Sequence, residues 1–340
     1  MNMNFDINDA NLVVDVAVDR CNGQVREFTN GQADDLITKA LITANNGKTA
    51  IDFRDIRDGK CGKLFSMIEL IIKKVVVEGL VGDEYFNQLV DLRVVPLGDK
   101  PEFKVEDANW FTVSKVADGA QNAVRRQHLT GSTTTTVPTY WNVIKIYEEL
   151  SRVLSGQANM AEMIRDVAKS FKQNMLTDIY SIWANATTTQ LGGATYNITG
   201  VYDESTMLTL IDHVEAKSGN IANLYGTRSA LRKLTTGVVA DSAREDMYNM
   251  GYYGKFNGTG MAITPQRHTV GTDTFVFSDS VINVLAGPTK PIKVVIEGNP
   301  LVNSGNLMDK ADLSQEYIYA QRYGVGFVLS DGALGRYTIS

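Results

Sequence analysis

"NMAEMIRDVAKSFKQNMLTDIYSIWANA", residues 159–186, is the clearest element in the chain. Met160, Met163, Val167, Phe171, Met175, Ile179, Ile182 and Ala186 recur at spacings of three and four, so one stripe of a helix is apolar along its whole length. Asn159 with Glu162 three residues later has the form of a capping pair. At about 1.5 Å per residue such a helix is roughly 40 Å long, enough to span a domain. No proline occurs between Pro138 and Pro265 to break it. Its methionines read as core filling. A spine of this length must be covered by something, and the flanking sequence supplies the candidates.

Before it, residues 92–150 are rich in Val, Thr, Phe, Tyr and Trp and punctuated by Gly and Pro, which are strand and turn signals. Within them, Phe103 to Gln127 carries Lys104, Lys115, Arg125 and Arg126 against Glu106, Asp107 and Asp118. A hairpin this long and polar is not stable alone in water and needs a surface to lie on. Further upstream, "LFSMIELIIKKVVVEGLVG" (64–82) is the most apolar stretch. Glu69, Lys73, Lys74 and Glu78 interrupt it, which argues against a membrane span. Leu64, Phe65, Ile68, Ile71, Ile72 and Val75 give it an amphipathic helical stripe that a partner surface must cover. The first sixty residues, broken by "NGQADD", "NNGK" and "RDGKCGK", read as an irregular arm with little core of its own.

After Gly200 the segments become short and alternate in type. A helix near Ser205 to Lys217 is followed by "NLYG", the basic helix "TRSALRKL", a glycine-rich run and "TDTFVFSDSVINVLAG", the pattern of an α+β domain. The last stretch alternates Tyr317, Tyr319, Val325, Phe327 and Leu329 and ends the chain in sheet. The one low-complexity tract is "TTTT" at 133–136.

Composition narrows function. The chain has 340 residues, 44% of them hydrophobic and 21% charged, which is an ordinary globular balance with a sizeable core. Its 33 basic and 39 acidic residues give a net charge of −6, which disfavours broad affinity for phosphate backbones. Cys21 and Cys61 lack metal-type spacing and read as free thiols in a reducing compartment. The start, "MNMNFDINDANLV", has neither a basic n-region nor an apolar h-region, so synthesis in the cytoplasm is expected.

No catalytic motif is complete. "NNGKTA" (45–50) holds the Gly-Lys-Thr of a phosphate loop, but Ile42 stands where the leading glycine belongs. "GYYGKFNGTG" (251–260) packs four glycines around Lys255, yet Ile263 occupies the closing position of a dinucleotide fingerprint. Its glycines read as turns and a close backbone approach. His128, His213 and His268 have no metal-ligand spacing, and no G-x-S-x-G elbow occurs. The residues point to no enzyme, no cofactor and no metal.

The order of parts, an arm, a long polar hairpin, a spine helix, a compact α+β region and a final strand, resembles the tailed-bacteriophage major capsid protein family, with its Hong Kong phage-type capsid fold. The resemblance runs from about Leu64 to the end. It rests on "FKVEDANWFTVSKVADGAQNAVRRQ" (103–127), the spine, "NLYGTRSALRKL" (223–234), "YNMGYYGKFNGTGMAITP" (248–265) and "DLSQEYIYAQRYGVGFVL" (312–329). It implies an α+β subunit with an N-terminal arm (1–91) carrying an amphipathic helix, an extended β-hairpin loop (92–140), a peripheral domain with the long spine helix (141–199 and 307–340) and an axial domain (200–306). Arm and loop would lie across neighbouring copies, with Trp110, Phe111, Arg125 and Arg126 as inter-subunit contacts. Hexamers and pentamers would close an icosahedral shell around double-stranded DNA, which the chain itself binds only weakly. Portal, scaffold or decoration proteins would be partners, and virion and host cytoplasm the locations. Some members add a Lys to Asn crosslink, for which Lys104, Lys115, Asn303 and Asn306 fall in suitable segments. An encapsulin-type compartment and an α/β nucleotide-using enzyme are the rival readings.

Overall fold

The computed structural model describes residues 7–22, 29–48, 54–55, 58–81, 88–105, 113–116, 118, 126–128, 133–149, 160–186, 191, 193–234, 245, 248–269, 271–287, 290–304, 314–329 and 333–340. In chain order the elements are α1 (Ile7–Asn22), α2 (Asn30–Ala44), α3 (Gly62–Val81), β1 (Val90–Val95), β2 (Glu102–Val105), β3 (Thr133–Thr136), β4 (Tyr140–Glu149) and α4 (Met160–Ala184). They continue with β5 (Asn197–Gly200), α5 (Glu204–Ser218), β6 (Ala222–Gly226), α6 (Arg228–Arg232), β7 (Lys255–Phe256), β8 (Thr259–Ile263), β9 (Val281–Ala286), β10 (Ile292–Ser304), β11 (Ser314–Phe327) and β12 (Ala333–Ile339). Among the described residues no helix is long and apolar enough to cross a membrane.

Two compact units emerge. The first holds 1–99, 138–179 and 294–325, and the second 100–137, 180–293 and 326–340. Strand β1 and most of β10 fall in the first unit and β12 in the second.

In the first unit the leading sixty residues correct the expectation of an irregular arm. The "NGQADD" break is a helix start: the Thr29 hydroxyl accepts from the Gln32 amide, and the Gln32 side chain accepts from the Thr29 amide, forming a capping box. The "NNGK" break is the end of the same helix, where the Gly47 amide closes onto the Ile42 carbonyl at 2.8 Å. Breakers on either side of a periodic run are helix punctuation, and α1 and α2 accordingly bury Val14, Ala17, Val18, Ala33 and Leu41. They pack on α3, whose predicted stripe of Leu64, Ile68, Ile71, Ile72 and Val75 is buried. The partner surface for that stripe is therefore in the same chain. Lys74 of α3 forms an ion pair with Asp15 of α1.

The sheet of this unit has the order β1-β10-β11-β4. Strands β11 and β4 run antiparallel, with Tyr323 opposite Tyr140 and Ile318 opposite Lys145. Along β11, Tyr317, Tyr319, Gln321 and Tyr323 are buried, while Glu316, Ile318, Ala320 and Arg322 face the other way and stay half-buried. This is the period of two that the tyrosine spacing predicts.

The second unit is built on a mixed six-stranded sheet of order β5-β12-β9-β6-β8-β7. Helix α5 starts at Asp203, whose carboxylate accepts from the Thr206 amide at 2.8 Å, and ends at Gly219. It lays Met207, Leu210, Ile211 and Val214 on Leu224, Ile282, Val284 and Tyr337. The glycine-rich run becomes a tight hairpin in which Phe256 pairs with Thr259 across Asn257 and Gly258. Both turn residues have positive φ, 46° and 92°, as a two-residue primed turn requires. A side chain at Gly260 would meet the Asn223 carboxamide oxygen at 2.7 Å, so the close approach expected from sequence is also present. Strands β2 and β3 pair antiparallel, with Val105 opposite Thr133, and form the base of the 106–132 excursion.

The spine forms as α4, and Val167, Phe171, Met175, Ile179 and Ala186 of its predicted stripe are buried. Asn159 and the side chains of Met160 and Met163 lie outside what the structure describes. The end of the helix is held in the second unit by Arg336 of β12. Its guanidinium donates to the carbonyls of Ala186 and Trp183 at 2.8 and 2.9 Å and to the Asn283 side chain at 3.0 Å. These partners are neutral, and burial pulls the guanidinium below its ordinary value. A cation against the negative end of a helix offsets part of that penalty. Arg336→Met keeps the stem but strands two carbonyls, and is expected to reduce unfolding free energy by about 1–3 kcal/mol. Arg336→Lys should not restore it, because an ammonium lacks the planar fork. Chemical denaturation of the three proteins measures this, and equal midpoints would contradict it.

Candidate assembly surface

One buried carboxylate organises the sheet of the first unit. Glu297 on β10 is 2% exposed. It accepts from the Gly98 amide at 2.7 Å and from the Thr139 hydroxyl, and pairs with the Arg322 guanidinium at 2.9 Å. Arg322 Nε also lies 3.0 Å from the Thr139 hydroxyl oxygen and donates to it. A buried charge persists only where its lone pairs are filled, and here the donors come from the turn after β1, the approach to β4, and β11.

Helix α4 covers the buried face of this sheet. The Tyr323 hydroxyl donates to the Asp178 carboxylate at 2.8 Å and accepts from the Asn174 side chain at 2.6 Å. Burial pushes the Tyr323 hydroxyl up, and it also pushes the Asp178 carboxyl up, outweighing the hydrogen bond from Tyr323. Helix α3 adds two contacts to β10: the Glu69 carboxylate accepts from the Val302 amide at 3.0 Å, and the Lys73 ammonium donates to the Asn299 side chain at 2.8 Å.

The opposite face is open. Val94, Leu97, Trp141 and Leu301 are 47%, 61%, 43% and 51% exposed. With Lys73 and Asn299 they line a groove of about 550 Å³. Val143 and Tyr147 are exposed further along the same face of β4, an edge strand of the sheet, with Lys145 between them paired to Glu316. Scattered exposed apolar side chains are ordinary, but a cluster of them lining a groove beside a strand edge marks an interaction surface.

Of the residues expected to make inter-subunit contacts, Trp110, Phe111 and Arg125 lie outside the described residues, and Arg126 is exposed. The structure assembles Leu97, Trp141 and Leu301 around the groove, and the apolar residues at alternate positions in "YWNVIKIY" (140–147) are the sequence signal for part of it.

The rejected phosphate loops have definite geometry. Gly47 ends a helix, the pole opposite to the one that attracts phosphate, and Lys48 is ion-paired with Asp55. The Asn257-Gly258 turn joins two strands and leads into no helix. In the second unit a cavity of about 160 Å³ is lined by Trp183, Thr227, Asn283 and neighbours, none of which titrates. Among the described residues no three His, Cys, Asp or Glu side chains could share a metal ion. His213 lies edge-on to Tyr196, and His268 stacks on Phe275.

Comparison with known proteins places this geometry. The fold resembles that of the "capsid of native GTA particle computed with C5 symmetry", with a TM-score of 0.52 at 11% identity over 75% of this chain and 89% of that one. Mycobacterium phage Patience gives 0.47 at 13% identity over 82% and 89%, and the mature capsid of bacteriophage PhiM1 gives 0.46 at 13% over 76% and 87%. A search of curated protein sequences returned no match. The class is that of structural phage capsid proteins, an α+β fold of mixed helix and sheet. Residues 10–336 match the family described as "SPbeta prophage-derived putative capsid protein YonB", and the chain belongs to that family. Its role is that of a structural major capsid protein, and neither an encapsulin-type compartment nor a nucleotide-using enzyme is favoured.

The Asp178 carboxyl supplies a test of the sheet–helix packing. Its folded-state value lies above the ordinary 3.8, so the folded chain holds the proton more tightly than the unfolded chain. The stability this contributes is complete below that ordinary value and is lost as pH rises through the raised one. Asp178→Asn keeps an oxygen to accept from Tyr323 and removes the buried charge. The variant is expected to melt higher than the parent at about pH 7, with the difference shrinking toward about pH 4. A difference that does not change over that range would contradict the buried placement.

Proposed function

We propose that the chain assembles, as hexamers and pentamers, into an icosahedral head shell around double-stranded DNA. The observation that carries this reading is the match of residues 10–336 to a capsid family. The first unit takes the peripheral role and the second the axial role. The excursion 106–132 reaches a neighbouring copy, with Trp110 and Phe111 as apolar anchors and Arg125 and Arg126 as carboxylate partners, since aromatic and arginine side chains dominate interface energetics. Each contact is weak enough to be corrected during growth, and its repetition around every subunit makes the lattice collectively stable. A net charge of −6 suits a wall that encloses DNA without gripping it, leaving packaging to a motor at a portal. The chain works without catalysis, in the virion, after synthesis in the host cytoplasm. Scaffold or decoration proteins are further partners in this reading.

The pairing of Val105 with Thr133 allows a direct test, because a short Gly-Ser bridge can close the chain there. Deletion of residues 106–132 is expected to leave circular dichroism and melting close to those of the parent subunit, apart from stabilisation contributed by association. Light scattering and negative-stain microscopy should show shells from the parent, and only subunits or capsomers from the deletion. Unfolding of the deletion, or shells of normal yield, would overturn the role given to this segment.

A further inference from the structure

We propose that the cavity between the end of α4, β6 and β9 in the second unit is a built site for ordered water, which completes two buried polar groups, the Trp183 indole N–H and the Gln266 side-chain oxygen. It is independent of the shell reading. Trp183, the penultimate residue of α4, forms one wall and is 1% exposed. Its ring packs edge-on to Tyr225 at 6.2 Å and tilted against Phe327 at 6.5 Å, while its Nε1–H is buried and finds no acceptor among the described residues. An indole nitrogen only donates, so the partner it needs is an acceptor.

Gln266 has the complementary need. Its side-chain nitrogen donates to the Phe277 carbonyl at 2.8 Å and to an Asp279 carboxylate oxygen at 3.1 Å, and that same oxygen accepts from the Thr227 hydroxyl at 2.7 Å. Two acceptors on one nitrogen fix the orientation of the amide, because turning it over would set its oxygen against both. Its Oε1 is then buried with no donor among the described residues. Phe277 and Thr227 are both walls of the cavity, so the amide is bonded to the lining. Water offers an acceptor and two donors in one small body. It can accept from Trp183 and donate to Gln266 or to the second lone pair of the Asn283 oxygen, whose first is taken by Arg336. Size selects the same ligand. The cavity is about 160 Å³, below the roughly 300–1,000 Å³ of sites for drug-sized molecules, whereas a single water needs only about 10–15 Å³. Val276, Phe277 and Val281 alone would make a dry cavity, but the polar groups on and behind the other walls make it a wet one. The water would join the last turn of α4 to the 264–278 segment, beside the hold that Arg336 has on the Trp183 carbonyl.

A high-resolution crystal structure of the full-length chain tests this directly. Water is expected in the cavity within about 2.7–3.2 Å of Trp183 Nε1, with the same or a second water at that distance from Gln266 Oε1. A cavity without density, density of a larger molecule, or a protein acceptor on Trp183 Nε1 would overturn the proposal. Benzene gives an independent measurement in solution, because a dry cavity of this size takes it up and a wet one does not. The melting temperature of the full-length chain is expected to be unchanged in benzene-saturated buffer. A rise in the parent that is lost in Ala184→Val, which adds two methyl groups to the wall, would place benzene in this cavity and overturn the proposal.

Discussion

Glu297 is the constraint on which the first unit depends. A carboxylate removed from water needs its lone pairs filled, and removal of one partner of such a buried pair generally destabilises by about 3–5 kcal/mol. Here the donors are the Gly98 amide, the Thr139 hydroxyl and the Arg322 guanidinium. One charge therefore fixes the turn after β1, the entry to β4, and the register of β10 against β11. An apolar residue at this position would pack but would not hold the turn after β1. The groove residues Leu97 and Trp141 adjoin two of the donors in sequence, so the geometry of the open face follows from the satisfaction of one buried group.

The two faces of that sheet then have different fates. One is closed by α4, through Tyr323, Asp178 and Asn174 and through the buried tyrosines of β11. The other keeps a cluster of exposed apolar side chains beside the edge strand β4. In the second unit α5 covers the sheet, and Arg336 satisfies the carbonyls at the end of α4. The exposed apolar face of the first unit is a surface that a structural capsid protein has available for assembly.

Much of this was legible in the sequence where periodicity is strong. The α4 stripe, the α3 stripe, the helix at 204–218 and the alternation of Tyr317 and Tyr319 each formed as the spacing predicts. In the leading sixty residues "NGQADD" and "NNGK" have the composition of chain breaks but form a capping box and a helix end, features built from the same residue types, so composition alone does not separate an irregular arm from a helical one. The Asn-Gly of the glycine run carried a specific hairpin signal beyond the general one of turns. The open groove was hidden for a different reason. Val94, Leu97, Trp141 and Leu301 come from three distant segments, and only strand pairing brings them together. Glu297 looked like any solvated acid, because its burial depends on donors up to 199 positions away.

The account's central claim, that the open face of the first unit is covered by assembly, is tested most directly by hydrogen exchange on free subunits and on assembled shells. It predicts that peptides covering residues 94–99 and 140–147 gain strong protection on assembly, while those from residues 207–214, already buried in the second unit, change little. Unchanged exchange at 94–99 and 140–147 in intact shells would contradict it.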